Sequence, residues 1–266
     1  MKRILLILMA LLLALLTLTA CSGGAGEAES TVTVSPTMEV STNTVGHLPE
    51  TSQIGERFPL YAEIPAEGLY LYGIADDFSW KNGGWVLYHT GKPSYFDWEG
   101  YAKYDYPMMA YGDYDKDGNN EIAIIITVHS GTGILQTDLH MLKVDVPTSE
   151  DNPYQYTDHI LYADNLVEMM QARITIPSPG TLLVDGKEHP MQENVGGRKI
   201  EGAYSGWRTY FEFDEEGIWL KLGVDMFGDD IGPTSDYIGE VTAKVNFDGE
   251  NFSFGELTYE EYKPLT

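Results

Sequence analysis

Asp113-Tyr114-Asp115-Lys116-Asp117-Gly118-Asn119-Asn120-Glu121 is the segment of this chain whose residue types and spacing carry the clearest chemistry. Carboxylates at alternating positions, followed by a glycine that permits a sharp turn, can converge on one hard cation. Calcium takes six to eight oxygen ligands from carboxylates, carbonyls and water. Without a cation, so many like charges in one loop repel one another. The competing reading is an acidic hairpin turn that binds no metal. Residues 122–128 follow at once and are apolar on both alternating faces, the pattern of a central strand covered on both sides.

The start of the loop matches an EF-hand, but the twelfth position is Ile124, where an EF-hand supplies a bidentate Glu. No helix signal flanks it. The loop instead resembles the calcium loop of FG-GAP and VCBS repeat proteins, in which D-x-D-x-D-G-x-x-D/E leads into a β-strand. That resemblance implies a calcium ion held by the side chains of Asp113, Asp115 and Asp117, the backbone carbonyl of Asn119 and the closing carboxylate of Glu121, with Gly118 at the turn. Repeat families carry one such loop per blade, whereas this chain has one loop, so the resemblance implies a site rather than a complete propeller. The order loop, strand, turn, strand is also similar to that of uncharacterised lipoproteins of Gram-positive bacteria, a resemblance that carries no activity.

The single cysteine, Cys21, closes Leu18-Thr19-Ala20-Cys21 at the end of an apolar run that begins after Lys2 and Arg3. A charged start, an apolar stretch and a small-residue cleavage site form a secretion signal over residues 1–20. Ending on Cys, the segment resembles the lipobox of bacterial lipoproteins. The resemblance implies a diacylglycerol on the Cys21 sulfur, a palmitate-type anchor, and a protein held at the extracytoplasmic face of the cell membrane. A transmembrane helix is the alternative, but the run is shorter than the roughly 20 residues that cross a bilayer. A plain secretory peptide would leave a free thiol in an oxidising compartment.

Acidity dominates the remainder. Removing Lys2 and Arg3 from 16 basic residues leaves 14 against 41 acidic ones, a net charge of −27. Nucleic acid and anionic lipid surfaces need basic patches, so the balance excludes them as partners and favours cations. No intrachain disulfide is possible, and stability must come from core burial, with a bound metal as help.

For catalysis the chain offers little: no G-x-S-x-G elbow, no H-E-x-x-H helix and no glycine-rich phosphate loop. His129 and His140 can approach one another across a hairpin, though a surface or core role fits each. Trp80, Trp85 and Trp98 lie close in sequence and are the candidates for a ligand-stacking surface, with core packing as the alternative. The expected function is a calcium-stabilised surface lipoprotein that binds a cell-wall glycan or a surface-protein partner. A carbohydrate-binding module or a carboxylate-dependent glycan hydrolase is the alternative.

These residues need elements to position them. Residues 21–52 read as a polar tether without aromatic residues, reaching roughly 30 Å as a random coil, and a globular domain spans 53–266. Short segments at 69–72, 85–88, 139–144, 210–213, 219–222 and 241–245 read as strands separated by turn signals at 82–84, 130–133, 216–217 and 248–249. One helix is expected, capped by Asn165, with Leu166, Met169 and Met170 on its buried face and its end near Arg173. A loop at 147–153 separates two halves of this one domain, which are not independent domains. The fold class is therefore mainly β, with antiparallel sheets arranged as a sandwich or a partial propeller and one short helix.

Overall fold

The computed structural model describes residues 39–40, 59–73, 84–100, 107–131, 133–145, 154–170, 172–178, 180–191, 194–195, 198–199, 202–227 and 236–262. The apolar leader, Cys21, most of the expected tether, Trp80 and the loop at 147–153 lie outside them. In chain order, β1 (Glu39–Val40) is followed by β2 (Leu60–Ile64), β3 (Leu69–Gly73), β4 (Trp85–His89) and β5 (Lys92–Phe96). Next come β6 (Met108–Gly112), β7 (Glu121–Gly131), β8 (Ile134–Asp145), β9 (Gln155–Leu161) and helix α1 (Ala163–Met170). Three short strands, β10 (Ile174–Ser178), β11 (Thr181–Val184) and β12 (Lys187–Pro190), precede the pair β13 (Asn194–Val195) and β14 (Arg198–Lys199). The chain closes with β15 (Gly202–Asp214), β16 (Gly217–Phe227), β17 (Asp236–Phe247), β18 (Phe252–Phe254) and β19 (Thr258–Glu261).

Ten strands form one sheet in the order β1-β6-β7-β8-β15-β16-β17-β18. It branches twice: β8 takes β9 along one part of its length and β15 along another, and β17 takes both β18 and β19. Only the short β8–β15 contact is parallel, Arg208 opposite Leu135 and Thr209 opposite Gln136. β2 to β5 make a separate four-stranded antiparallel meander. The described fold is thus mainly antiparallel β with one short helix and no closed barrel. Glu39 and Val40, inside the expected tether, pair with Tyr111 and Ala110 of β6.

Alternation along β7 explains the architecture. Ile122, Ile124 and Ile126 point into one core together with Leu69, Leu71, Trp85 and Leu87 of the four-stranded sheet. Ala123 and Ile125 point into the other, which gathers Leu166 and Met170 of α1, Leu182 of β11, Phe211 of β15, Leu220 of β16 and Val241 of β17. Each fully buried aliphatic side chain contributes about 1.5–3 kcal/mol, so a strand buried on both faces is the best-secured element of the molecule.

The helix differs from expectation at its start and on one face. It begins at Ala163, two residues before Asn165, because its first amide is capped from a distance: Asp138 Oδ1 in β8 accepts the Ala163 N–H at 2.8 Å. Ala163, Leu166 and Met170 recur at three- and four-residue spacing and are buried, which leaves Met169 on the stripe's edge and 45% exposed. Past the helix, Arg173 donates to both oxygens of Asp185 at 2.7 and 2.6 Å and to the Gly255 carbonyl at 2.7 Å. This fork ties the β10–β12 sheet to the segment after β18, and the guanidinium holds the Asp185 carboxyl below its ordinary range.

Ile124→Ala should destabilise the domain by about 2–5 kcal/mol, the cost of a large cavity in a close-packed core. Met169→Ala should stay within about 0.5 kcal/mol, as exposed substitutions do. Urea denaturation of both variants decides between this placement of the core and one that buries Met169.

Candidate functional site

The acidic segment is the connection of the β6–β7 hairpin, closed by the pair Gly112 and Glu121. Its backbone is folded onto its own carboxylates. Asp115 Oδ1 accepts the Asp117 amide at 3.0 Å, Asp117 Oδ1 accepts the Asn119 amide at 2.8 Å, and Asp113 Oδ2 accepts the Gly118 amide at 3.1 Å. These short side-chain-to-backbone bonds give aspartate its preference for turns. Gly118 sits at φ 92°, a conformation that a side chain would disfavour.

As a result Asp113, Asp115 and Asp117 converge, with one oxygen from each lying within 4.8 Å of the others. Asp113 Oδ1 is buried with no hydrogen-bond partner. A buried carboxylate oxygen without a donor is costly, and a cation at the centre of the three aspartates would satisfy it. The donor set therefore fits a hard metal ion: oxygen only, with no imidazole or thiolate.

Glu121 and two neighbours from outside the local motif complete the geometry. Glu121 is 1% exposed, and its Oε2 accepts the Tyr114 amide at 2.9 Å and the Asp115 amide at 3.4 Å, so it staples the loop to the first residue of β7. Burial pushes its carboxyl above the ordinary range, against the pull of those amides. Lys143 of β8 reaches Asp115 Oδ2 at 2.5 Å and Asp117 Oδ2 at 3.3 Å, and its ammonium is held charged chiefly by Asp115. Gly249, in the turn after β17, passes so close that a Cβ there would lie 2.8 Å from Asp115 Oδ2. That approach is why the Asp115 side chain is only 3% exposed although it sits in a hairpin loop. A cleft of about 300 Å³ runs along the loop between Asp113, Lys116, Glu216 and Lys244.

Asn119 donates both its amide and its side-chain Nδ2 to Asp117, drawing the Asp117 carboxyl below its ordinary range. Trp85 is fully buried in the core shared by β7 and the four-stranded sheet, so neither ring face is open to a ligand. Trp98 is 8% exposed, stacked on Phe96 at 4.2 Å on one side and against the His140 ring at 4.2 Å on the other. Trp85 serves packing, whereas Trp98 is flanked by Phe96 and His140 and also lines a cavity.

Trp98 instead marks a polar cluster that spacing alone did not reveal. Its indole N–H donates to Asp158 Oδ2 at 2.8 Å, and the same oxygen faces His140 Nδ1 at 3.2 Å. Register places His129 opposite Gln136 and His140 opposite Ile124, so the two histidines are not cross-strand partners. They nonetheless line one cavity of about 340 Å³ together with Asp138. Its carboxylates come from different elements, among them Asp97 after β5, Asp138 in β8 and Asp164 in α1, and no local sequence signal links them. Comparison with family models, curated proteins and solved structures finds no match.

Two outcomes test these placements. Lys143→Met removes an ammonium that competes for Asp115 and Asp117, so calcium titrated into that variant should bind roughly two- to fivefold more tightly than to the parent, the range expected for one partly exposed ion pair. Burial raises the Asp138 carboxyl above its ordinary range. The folded chain thus holds this proton more tightly than the unfolded chain, and stability falls as pH rises from the ordinary carboxylate range through the raised value. Asp138→Asn keeps an acceptor for the Ala163 amide, so it should flatten that slope and raise the melting temperature at neutral pH, as read by melting curves across about pH 4 to 8.

Proposed function

We propose that this chain is a lipid-anchored protein of the extracytoplasmic membrane face, whose domain is steadied by calcium and acts by binding rather than catalysis. The observation that carries the reading is the convergence of Asp113, Asp115 and Asp117 around the partnerless, buried Asp113 Oδ1. Calcium suits this loop better than magnesium or zinc, because the ligands are oxygens on an adaptable loop with no soft donor. Asp113, Asp115 and Asp117 would supply side-chain oxygens, Asn119 its carbonyl, and Glu121 the oxygen not engaged by the Tyr114 and Asp115 amides. The ion would neutralise the loop and replace Lys143 as the counter-charge.

The anchoring half of the reading rests on the lipobox-like Leu18-Thr19-Ala20-Cys21 after its apolar run. Two acyl chains suffice for stable attachment, where one gives only marginal binding. The binding half rests on chemistry: the walls of the cavity of about 340 Å³ are rich in carboxylates, which accept hydrogen bonds from hydroxyl- or amine-bearing partners. A cell-wall glycan or a neighbouring surface protein is the partner class consistent with such a location.

A calcium site occupied at about 100 times its dissociation constant stabilises a fold by about 2.7 kcal/mol. For a domain of this size that corresponds to a rise of roughly 5–10 °C in melting temperature on replacing chelator with calcium. The rise should vanish in the double variant Asp115→Ala, Asp117→Ala. Melting curves that coincide with and without calcium would rule the metal reading out, and Cys21→Ala protein that still fractionates with membranes would rule out the anchor.

A further inference from the structure

The tip of the β4–β5 hairpin is joined to the start of β9 by a histidine, a threonine and two tyrosines. His89 ends β4, is 7% exposed, and stacks on Tyr154 with ring centroids 3.9 Å apart and planes at 13°. Its Nδ1 lies 3.2 Å from the Tyr156 hydroxyl. Thr90 Oγ1 meets the Tyr154 hydroxyl at 2.9 Å, and the Thr90 amide donates to the Gly68 carbonyl at 2.9 Å. Thr90 has φ 49°, in the left-handed region where a β-branched residue is strained. These contacts hold the tip in a conformation that its own sequence resists.

A buried imidazole stays in place if it is neutral or meets a counter-charge. The groups that face His89 bring no negative charge. Leu69 of β3 is its partner on one side and is apolar. On the other side its partner is Lys92 of β5, whose ammonium lies 5.8 Å from the centre of the Tyr154 ring. Tyr154 and Tyr156 come from the β9 side as neutral phenols, and among the described residues no carboxylate contacts the ring. The Tyr154 face attracts a charged ring, yet burial outweighs that attraction and holds His89 below the ordinary imidazole range. Nδ1 of a neutral ring accepts the Tyr156 O–H, whereas an imidazolium carries its own proton there and loses that bond.

The rest of the four-stranded sheet does not depend on this contact. Leu69, Leu71, Trp85 and Leu87 are seated against Ile122, Ile124 and Ile126 of β7, a burial that no proton alters. The strained tip is therefore the part that yields. We propose that His89 is an acid-sensitive clasp, whose protonation lifts the β4–β5 tip from Tyr154 and Tyr156 while the core beneath stays folded. Docking favours the neutral ring, so the clasp is at full strength above the ordinary imidazole range and weakens as pH falls through it. It shares no residue with the acidic loop, and its opening requires neither the metal nor the anchor.

The test is NMR of the full chain in calcium-containing buffer, with labelled histidine and tyrosine rings and isoleucine methyls, from about pH 7.5 to about pH 4.5. His89 should titrate below the ordinary value of 6.5. Tyr154 and Tyr156 ring signals should move towards free-tyrosine positions with the same midpoint, while the isoleucine methyls of β7 keep their folded positions. His89→Gln should hold the tyrosine signals at one position throughout. Tyr156→Phe keeps the ring but removes the donor to Nδ1, so it should move the midpoint up by roughly half a unit, the scale of one hydrogen bond. Tyrosine rings that stay docked at the acid end, or a midpoint at or above 6.5, would overturn the clasp. So would tyrosine movement that persists in His89→Gln, or isoleucine methyls that unfold with the same midpoint. Should His89→Gln not fold, Tyr156→Phe decides, and an unchanged or lower midpoint there counts against the proposal.

Discussion

Because every residue from Glu121 to Thr127 is buried, β7 has to satisfy two cores at once. Ile122, Ile124 and Ile126 belong to the core under the four-stranded sheet, and Ala123 and Ile125 to the core under α1 and β15 to β17. A slip of one residue would exchange these sets and drive three isoleucines into space shaped for an alanine and one isoleucine. Register along β7 is therefore fixed from both sides, more firmly than in a strand with one wet face. The polar clusters at the two ends of β7 inherit that register. Glu121 is held at the strand's entry, where it staples the acidic loop, and His129 near its exit, where it lines the cavity. On the paired strand β8, the same ladder sets Lys143 at the loop and Asp138 and His140 at the cavity.

The loop shows how a cluster of like charges survives inside such a frame. Each aspartate accepts at least one backbone amide from within the loop or a contact from Lys143. These bonds compensate the carboxylates locally, but they also pin their free oxygens towards a common centre. Burying Glu121 carries a desolvation penalty, offset by the amides of Tyr114 and Asp115. The arrangement leaves Asp113 Oδ1 as the one buried loop oxygen without a donor. Lys143 cannot remedy this, since its ammonium is engaged with Asp115 and Asp117. The loop is thus one cation short of electrostatic balance, even with a lysine in place.

How much of this was legible in the sequence depends on whether a feature is local. The run at 122–128 announced a strand buried on both faces, because apolar residues at both parities have no other use in a β-protein. The spacing of Asp113, Asp115 and Asp117 announced their convergence, because the turn that gathers them is made by their own side chains. Lys143, Gly249 and the Arg173–Asp185 fork carried no local sign, being brought in by strand pairing across long stretches of chain. The same reason defeats the helix cap: Asn165 had the right chemistry, but Asp138 from β8 supplies the bond and moves the start to Ala163. Trp85 and Trp98 look alike as surface candidates in sequence, and only packing tells that Trp85 is walled in and Trp98 is flanked on two sides.

A chain with 41 acidic and 16 basic residues can keep its charge in two ways. It can leave carboxylates in water, where the high dielectric reduces each repulsion to a small cost, and Glu168 does so on the outer face of α1. Or it can draw carboxylates inward, where repulsion is strong enough to require a counter-charge. Two acidic clusters lie near opposite ends of β7, one in the loop before it and one around the cavity, and they are arranged differently. At the loop, the oxygens are gathered to within the reach of one small ion. At the cavity, they are spread around a space of about 340 Å³ and mixed with two imidazoles and a phenol. Charge density at the first suits a metal, whereas among the described residues the second gathers no set of ligand atoms close enough for one ion. The acidity of the chain thus has a local content: at the loop it gathers three carboxylates to within reach of one small ion.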